Sequence, residues 1–376
     1  MKAFGLLSLL TLLFSTNCEA QQTLRETITY DGVTRSFIIY VPAIYSNTDE
    51  VPLLLGMHKK NGTAENFMTY GDFRYIADTA NFIIVHPQGL LDKDGITHWN
   101  FNPSADTVDD IGFLDSLIEN VSSRFSIDQK RIYSTGFSQG AFMSFYLACH
   151  LERKIAGIGA VSGSLIDTAG CFDGFPVPIM QIHGTNDNVV SYNAYKIPGI
   201  IDICVNYNGC DATPTITNMP DIDKTDGSSV TQFLYENGKN GISVEHLRVN
   251  NGEHKWPGNG LKTSNTNYDI VASVEIWRFL SQFNSDGRIA TSSALSLNTP
   301  KAILFPNPTS GTVKLTSNHF INSISVKDMQ GKELLFKVLN ASSKESILST
   351  ESLPSNMYTV TIHTDHGIEV TKLLKL

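Results

Sequence analysis

The predicted fold of this 376-residue chain follows from one segment, Arg131-Ile-Tyr-Ser-Thr-Gly-Phe-Ser-Gln-Gly-Ala141. Its first five residues predict a strand, and residues 141–149 predict a helix. Between them lies Gly136-Phe-Ser-Gln-Gly140, and a G-x-S-x-G motif in this position is typical of a sharp strand-to-helix turn. Small flanking residues tolerate the strained backbone of such a turn. The Ser138 hydroxyl would then lie at the start of the helix, where it is a candidate nucleophile.

Buried strands alternate with helices through most of the chain. Short apolar runs have the composition of strands that are covered on both faces. Amphipathic helices separate them, most clearly over 109–124. This alternation predicts an α/β fold with a mostly parallel sheet and helices on both faces, preceded by a β-hairpin over 24–41. The buried runs are 52–58, 82–86, 155–161 and 177–183.

The last part of the chain has a different pattern. Residues 286–300 are small and polar, which predicts a linker. Beyond them, short runs with alternating hydrophobicity predict a small antiparallel β-sandwich over 301–376. We therefore expect an α/β domain over 21–285 and a separate all-β domain.

The first 20 residues have the layout of a secretory signal peptide. A basic start precedes a short apolar run and small polar residues, and we expect cleavage after Ala20. The apolar run is shorter than the roughly 20 residues that a bilayer span needs. A lipid anchor through Cys18 is a weaker alternative, because Asn17 is a poor residue before a lipidated cysteine. No later stretch predicts a span, so we expect an exported, soluble protein.

Four cysteines remain after cleavage, and an even number in an exported protein permits two disulfides. Three pairings are possible, and the sequence does not choose among them. The short spacing makes a local loop between Cys204 and Cys210 one candidate. A zinc site is the rival, but no CxxC or HxxxH pair supports it.

The composition excludes several classes of protein. With 41% hydrophobic and 17% charged residues, the chain is neither disordered nor fibrous. Its net charge is −9, from 28 Lys and Arg against 37 Asp and Glu, and it has no long basic run. We therefore expect no nucleic-acid partner.

A serine nucleophile needs a histidine base, and that histidine needs an orienting carboxylate. In folds with this turn the chain order is Ser, acid, His. In His183-Gly-Thr-Asn-Asp187, the carboxylate of Asp187 follows a predicted buried strand and a glycine turn. We predict Asp187 as the acid; Asp173 and Asp202 are rivals, but they follow no strand.

Ten histidines are available as the base, and their positions exclude most of them. The nine excluded histidines lie before Ser138, inside a strand, after a helix, in an unsuitable loop or in the last module. His254 lies after the predicted strand 244–249, in a loop downstream of Asp187. The sequence therefore predicts a triad of Ser138, Asp187 and His254.

Four motifs together resemble the secreted esterases of carbohydrate esterase family one, which include feruloyl esterases, acetylxylan esterases and the related polyhydroxybutyrate depolymerases. They are Val108-Asp-Asp-Ile-Gly-Phe-Leu114, the turn at Ser138, His183-Gly-Thr-Asn-Asp187 and His254-Lys-Trp-Pro-Gly258. The similarity covers about residues 23–285. It implies an α/β-hydrolase fold and hydrolysis of carboxylic esters without a cofactor.

The loop His58-Lys-Lys-Asn-Gly-Thr63 departs from this family, which usually has His-Gly followed by a Gly-rich stretch. The resemblance implies an oxyanion hole made by the backbone N–H groups of Gln139 and Lys60. Lys59 replaces a glycine, so its backbone must avoid a positive φ. Substrate contacts are predicted for Trp99, Trp256 and Lys59. A core position is the alternative for Trp99.

The C-terminal region resembles the sorting domain of the type IX secretion system in Bacteroidetes. Phe305-Pro-Asn-Pro-Thr-Ser-Gly311 opens it, and Lys372-Leu-Leu-Lys-Leu376 closes it. The resemblance implies the type IX machinery as a partner and a secreted or cell-surface location. A carbohydrate-binding sandwich is the rival, but the region has no tryptophan to stack on a sugar.

Two groups of acidic residues have simpler explanations than catalysis or metal binding. Asp109 and Asp110 form a carboxylate pair, but acidic residues are favoured in the first turn of a helix. Asp221-x-Asp223-x-x-Asp226-Gly227 hints at a calcium loop, yet it lacks the EF-hand spacing and the final glutamate. We expect no bound metal.

The leading hypothesis is an exported serine esterase that acts on feruloyl or acetyl esters of plant polysaccharides. One alternative is a polyhydroxyalkanoate or other polyester depolymerase. A second alternative, from another class, is a catalytically impaired polysaccharide-binding module, because Lys59 and Lys60 occupy the oxyanion loop.

Overall fold

The computed structural model describes most of the chain in two compact units, Met1–Ile289 and Ala290–Leu376. The residues described are 21–101, 107–151, 153–166, 171, 174–261, 263–289, 302–317, 319–327, 333–338, 343–354, 356–364 and 367–375. The predicted signal peptide lies outside the described residues. Each unit is considered by itself below.

Ten strands of the first unit form one sheet. In chain order they are β1 (Gln22–Tyr30), β2 (Val33–Val41), β3 (Val51–Met57), β4 (Ile83–Pro87), β5 (Ile127–Phe137), β6 (Gly157–Val161), β7 (Ile179–Gly184), β8 (Thr215–Asn218), β9 (Ser229–Tyr235) and β10 (Val244–Asn250). Their order across the sheet is β1-β2-β4-β3-β5-β6-β7-β10-β9-β8. The six strands from β4 to β10 run parallel, and two antiparallel strands extend the sheet at each side.

The predicted hairpin is present as β1 and β2. Asp31 and Gly32 form its two-residue turn, and both have positive φ, at 49° and 74°. A turn of this kind matches the twist of the flanking strands and favours Asp-Gly. The hairpin therefore follows directly from these two residues.

Helices cover both faces of the sheet, which confirms the predicted fold class. They are α1 (Ala64–Tyr70), α2 (Arg74–Ala80), α3 (Asp110–Ser122), α4 (Gln139–His150), α5 (Ile197–Asn208) and α6 (Ala272–Leu280). Helices α3, α4 and α5 pack in one buried cluster with Leu53 and Leu55. Helices α1, α2 and α6 pack in the other with Leu54. The alternation of side chains along a strand thus divides the core into two layers.

Several elements were not predicted. Helix α5 begins Ile197-Pro-Gly199, and proline and glycine hide its helical pattern. Strand β8 is exposed along its whole length at the sheet edge, so it lacks a hydrophobic signature. The apolar spacing of residues 268–283 predicts a helix, but α6 begins only after Val271, whose backbone is extended with φ −111° and ψ 107°.

The predicted linker begins too early. Strand β11 (Phe283–Asn284) pairs with β12 (Gly287–Arg288), and the N–H of Ile289 donates to Gln282 O at 2.9 Å. These bonds tie residues up to 289 to the first unit. The remainder of the predicted linker, 290–300, lies outside the described residues.

The second unit contains two antiparallel sheets. In its described residues the strands are β13 (Ile303–Phe305), β14 (Thr312–Thr316), β15 (Ile321–Lys327), β16 (Glu333–Val338), β17 (Glu345–Ser349), β18 (Asn356–Thr364) and β19 (Gly367–Lys375). The sheets have the orders β13-β14-β17 and β16-β15-β18-β19. They enclose one hydrophobic core, which includes Val313, Ile324 and Leu373. Across the described parts of both units, no helix has the length and apolarity that a membrane crossing demands.

Candidate active site

Ser138 lies in the turn between β5 and α4. Its backbone has φ 55° and ψ −117°, a conformation that a residue with a Cβ atom rarely adopts. A Cβ atom at Gly136 would overlap the backbone of Gly140, and one at Gly140 would overlap the carbonyl of Met57. Glycine is therefore required on both sides of the turn. The Ser138 carbonyl starts the helix by accepting from the N–H groups of Ala141 and Phe142.

Asp187 lies in the turn that follows β7. Its Oδ1 accepts from the N–H groups of Val189 and Val190 at 2.9 and 2.8 Å. Its Oδ2 accepts from His254 Nδ1 at 2.7 Å. Burial acts to raise the pKa of this carboxyl, but the hydrogen bonds from His254 and Val190 outweigh it and lower the pKa. The carboxylate is thus held ionised and pointed at one imidazole.

His254 lies in the loop after β10, next to the Ser138 turn. Its ring packs on the ring of Phe137, which precedes Ser138, with 4.8 Å between centroids. Trp256 anchors the loop in the core, where it meets Phe67 and Phe73 edge-on. The structure therefore places all three predicted residues in loops at the carboxyl edge of the parallel strands.

The predicted oxyanion loop has no positive φ at Lys59. The positive φ of this loop falls on Asn61, at 55°, and not on Lys59. The backbone strain that a positive φ would cause at Lys59 is therefore absent. Asparagine tolerates this conformation better than most residues.

The Lys59–Lys60 peptide is fixed by hydrogen bonds. Gly89 N–H donates to His58 Nε2 at 2.9 Å, so His58 carries its proton on Nδ1 and donates it to Lys59 O at 2.7 Å. Gly62 N–H donates to the same carbonyl at 3.0 Å. Because a trans peptide is planar, the Lys60 N–H points away from this carbonyl. This geometry is compatible with an oxyanion donor.

Gln139 supplies the other predicted donor. It is the first residue of α4, and the first N–H groups of a helix have no partner within the helix. Its side chain accepts from Trp99 N–H at 3.1 Å. The side-chain oxygen thereby helps to hold the 99–100 segment, and the backbone N–H remains the predicted oxyanion donor.

Two of the three predicted substrate contacts do not fit the structure. Trp99 and Trp256 are each 1% exposed. Trp99 donates through Nε1 to His58 O at 2.9 Å, and Trp256 packs against Phe67 of α1 and against Phe73, which precedes α2. Both indoles support the site from the core and offer no surface to a substrate. Lys59 is exposed, and Lys60 Nζ lies 3.8 Å from Asp92.

The other acidic candidates have structural roles. Asp109 caps α3 by accepting from Gly112 N–H at 2.9 Å, and Asp110 forms a buried ion pair with Arg35 at 2.5 Å. Asp223 and Asp226 accept from local N–H groups, such as that of Ser228 at 2.7 Å. Of the rival acids, Asp202 lies on α5, and Asp173 falls outside the described residues. No cluster that could hold a metal occurs among the residues that the structure describes.

Among the cysteines that the structure describes, Cys149 and Cys171 form a disulfide. The local loop considered between Cys204 and Cys210 does not form, and both remain thiols. Cys204 points from α5 into the core, and burial raises the pKa of its thiol to about 12. Gly209 ends the helix between them, so the two side chains face different surroundings.

Sequence reasoning missed the aromatic and polar groups around the predicted triad. Phe142, one helical turn beyond Ser138, stacks on Phe101 at 5.1 Å and meets Tyr195 at 5.9 Å. His183, set aside as a strand residue, lies 3.4 Å from Asp187. The spacing of Phe142 from Ser138 was a signal that could have been used; the others depend on tertiary contacts.

The comparisons with known proteins agree with this architecture. A family described as phospholipase/carboxylesterase matches residues 95–237, and a secretion system C-terminal sorting domain matches residues 303–375. The parallel sheet, its covering helices and the turn at Ser138 define an α/β hydrolase.

Three curated relatives match between about half and three quarters of this chain. A probable feruloyl esterase C of Aspergillus terreus is 31% identical over 52% of this chain and 70% of its own length. Feruloyl esterase D of Neurospora crassa is 26% identical over 72% of this chain and 91% of its own length. A bifunctional acetylxylan esterase/xylanase of Neocallimastix patriciarum is 26% identical over 74% of this chain and 37% of its own length.

The chain belongs to the family of feruloyl esterases, and it ends in a type IX secretion sorting domain. Both resemblances drawn from the sequence are confirmed. The sorting domain also confirms that the protein is exported or held at the cell surface. The chain spans between 37% and 62% of the length of three of the curated relatives that it matches.

Proposed function

We propose that this protein is a secreted serine esterase that hydrolyses feruloyl or acetyl esters on plant polysaccharides. The observation that carries the proposal is the 2.7 Å hydrogen bond from His254 Nδ1 to Asp187 Oδ2, at the sheet edge where Ser138 begins α4. The names of the relatives, which specify feruloyl or acetylxylan esterase, support the substrate class.

The first half of the reaction forms an acyl-enzyme. Ser138 Oγ attacks the ester carbonyl carbon while His254 Nε2 takes its proton, and the carbonyl electron pair moves onto oxygen. The N–H groups of Gln139 and Lys60 bind that oxyanion. Asp187 keeps the other ring nitrogen protonated and stabilises the imidazolium. The tetrahedral intermediate then collapses, and the sugar oxygen leaves with the proton from His254.

Water completes the reaction by the same route. His254 takes a proton from water, the hydroxide attacks the acyl carbon, and the second intermediate expels Ser138 Oγ, which regains the proton. The carboxylic acid is released and the enzyme is restored. No step requires a redox partner or a co-reactant besides water.

A cluster of aromatic side chains next to Ser138 supports an ester substrate whose acyl group is hydroxycinnamoyl. Phe142 donates its N–H to Ser138 O at 3.1 Å, and its ring touches Phe101 and Tyr195. Tyr195 is 40% exposed. An exposed ring in an aromatic cluster offers a face on which another aromatic ring can stack.

The C-terminal domain implies a second partner, the type IX secretion machinery. Its match over residues 303–375 supports this assignment. In a host with that system, we expect chains lacking residues 303–375 to accumulate inside the cell envelope.

A substrate panel tests the proposal. The purified protein is assayed on p-nitrophenyl acetate, methyl ferulate, acetylated xylan and hydroxybutyrate oligomers, with Ser138→Ala as the control. We expect turnover of the acetyl and feruloyl esters and a loss of at least about 10³-fold in the variant. Turnover of hydroxybutyrate oligomers alone indicates a depolymerase. Retention on xylan without any turnover indicates a binding module and rejects the proposal.

A further inference from the structure

His183 lies behind Asp187 and takes part in no step of the proposed reaction. Its side chain is fully buried near the end of β7. Its Nε2 is 2.8 Å from the carbonyl oxygen of Val190 and 3.4 Å from Asp187 Oδ2. The N–H of the same Val190 donates to Asp187 Oδ1. The imidazole thus contacts both the carboxylate and the turn that caps it.

The neighbours of His183 determine which ring nitrogen carries the proton. Gln181 Nε2 lies 2.9 Å from the carbonyl oxygen of Gly163, a contact that only an N–H group can satisfy. The second hydrogen of that amide points to His183 Nδ1, 3.0 Å away. His183 Nδ1 is therefore an acceptor, and the proton is on Nε2. That N–H faces Val190 O, with the Asp187 carboxylate as a second acceptor.

His183 is also neutral in this position. Burial lowers the pKa of its ring, and no solvent reaches it. A neutral donor steadies the carboxylate without introducing a second cation that competes with His254. The charge of Asp187 therefore remains available to the imidazole that must gain a proton.

We propose that His183 is a positioning residue that holds the 187–190 turn through Nε2–H and so keeps Asp187 Oδ2 aligned with His254 Nδ1. This inference rests on the proposed esterase function, because the alignment matters only if His254 acts as a base. A misplacement of about 1 Å in such a group can cost about 10²-fold in rate.

Two substitutions separate positioning from general packing. His183→Leu keeps the approximate volume and removes the donor, whereas His183→Gln retains an N–H near the position of Nε2. The matched control is His86→Leu, which removes another buried imidazole, one that contacts Gly56 O at 3.2 Å. With p-nitrophenyl acetate we expect kcat to fall about 30-fold in His183→Leu with KM unchanged. His183→Gln should recover part of that loss, and His86→Leu should show none.

Proton NMR adds a measurement, the His254 Nδ1–H chemical shift, that a packing defect elsewhere in the protein would leave unchanged. In the wild type the His254 Nδ1–H gives a low-field resonance, which should shift or broaden in His183→Leu and stay in place in His86→Leu. A folded His183→Leu protein with wild-type kcat and an unmoved resonance overturns the inference.

Nitrogen-15 NMR of the wild type tests the inference without any variant and without substrate. Long-range ¹⁵N–¹H correlations should show His183 as a neutral ring protonated on Nε2. A ring protonated on Nδ1 overturns the inference even if the protein is an active esterase. If the wild-type protein is inactive but His183 is protonated on Nε2, the proposed function is rejected. The hydrogen bond from His183 to the 187–190 turn is then still supported.

Discussion

His254 Nδ1 lies 2.7 Å from Asp187 Oδ2, although 67 residues separate the two in the chain. Strands β7 and β10 are parallel neighbours, so their following loops leave the sheet at the same edge. The loops are also tied to each other, because Asn186 N–H donates to Gly252 O at 2.9 Å and Asn251 N–H to Thr185 Oγ1 at 2.8 Å. The contact is therefore a consequence of sheet topology reinforced by local bonds.

Removal of one backbone N–H should test the oxyanion loop. Lys60→Pro lacks the N–H, and we expect its kcat on p-nitrophenyl acetate to fall about 10²–10³-fold. Lys60→Ala keeps the N–H and should retain wild-type kcat. Equal kcat values in the two variants, with matched melting temperatures, would show that this N–H binds no oxyanion.

The exposed ring of Tyr195, which contacts Phe142 one helical turn beyond Ser138, should select the acyl group. Tyr195→Ala removes one stacking face, so KM for methyl ferulate should rise about fivefold, a loss of roughly 1 kcal/mol. KM for p-nitrophenyl acetate should stay unchanged. Tyr146→Ala is the control, since that ring packs on His150 at the far end of α4. A similar effect on both substrates would argue against acyl selection by Tyr195.

Buried neutral histidines should make stability depend on pH. Burial lowers the pKa of His58, His86 and His246 from 6.5 to about 4. The unfolded chain takes up protons at these rings below pH 6.5, and the folded chain does not until about pH 4. The free energy of unfolding should therefore be highest above pH 6.5 and fall steadily towards pH 4.

Urea unfolding at pH 8, 6.5, 5 and 4 measures this dependence. His86→Leu should flatten the slope between pH 6.5 and 4, because one proton-binding ring is gone. A free energy of unfolding that is constant over this interval contradicts the assignment of neutral buried rings.

The first unit should function without the second. The hydrogen bonds of the β11–β12 hairpin extend to Ile289, so a chain that ends there keeps every described element of the first unit. We expect it to fold and to retain wild-type kcat and KM on p-nitrophenyl acetate. A chain that ends at residue 283 loses the hairpin and should melt at a lower temperature. A folded 289-residue chain without activity would show that the sorting domain contributes to catalysis.

Local patterns were sufficient to predict the fold and the three residues of the proposed triad. The turn at Ser138, the buried strand before Asp187 and the strand before His254 each carry their own signal. The same reasoning failed for β8 and for α5, because an exposed edge strand and a helix that begins with Pro and Gly lack the usual periodicity.

Residues whose role depends on tertiary contacts could not be predicted in the same way. Trp99 and Trp256 were expected to contact substrate, yet burial at 1% exposure makes them supports of the loops that carry the site. His183 looked like a strand residue, and only the folded chain shows that it faces Asp187. Sequence motifs identify reactive groups more readily than the groups that hold them.

Covalent labelling of Ser138 tests the central claim most directly. The protein is treated with a fluorophosphonate, which adds to an activated serine, and the modified peptide is mapped by mass spectrometry. We predict a single adduct at Ser138 that is absent in Ser138→Ala and forms at least about 10³-fold more slowly in His254→Ala. An unlabelled wild-type protein, or an adduct at another residue with Ser138 unmodified, would contradict the account.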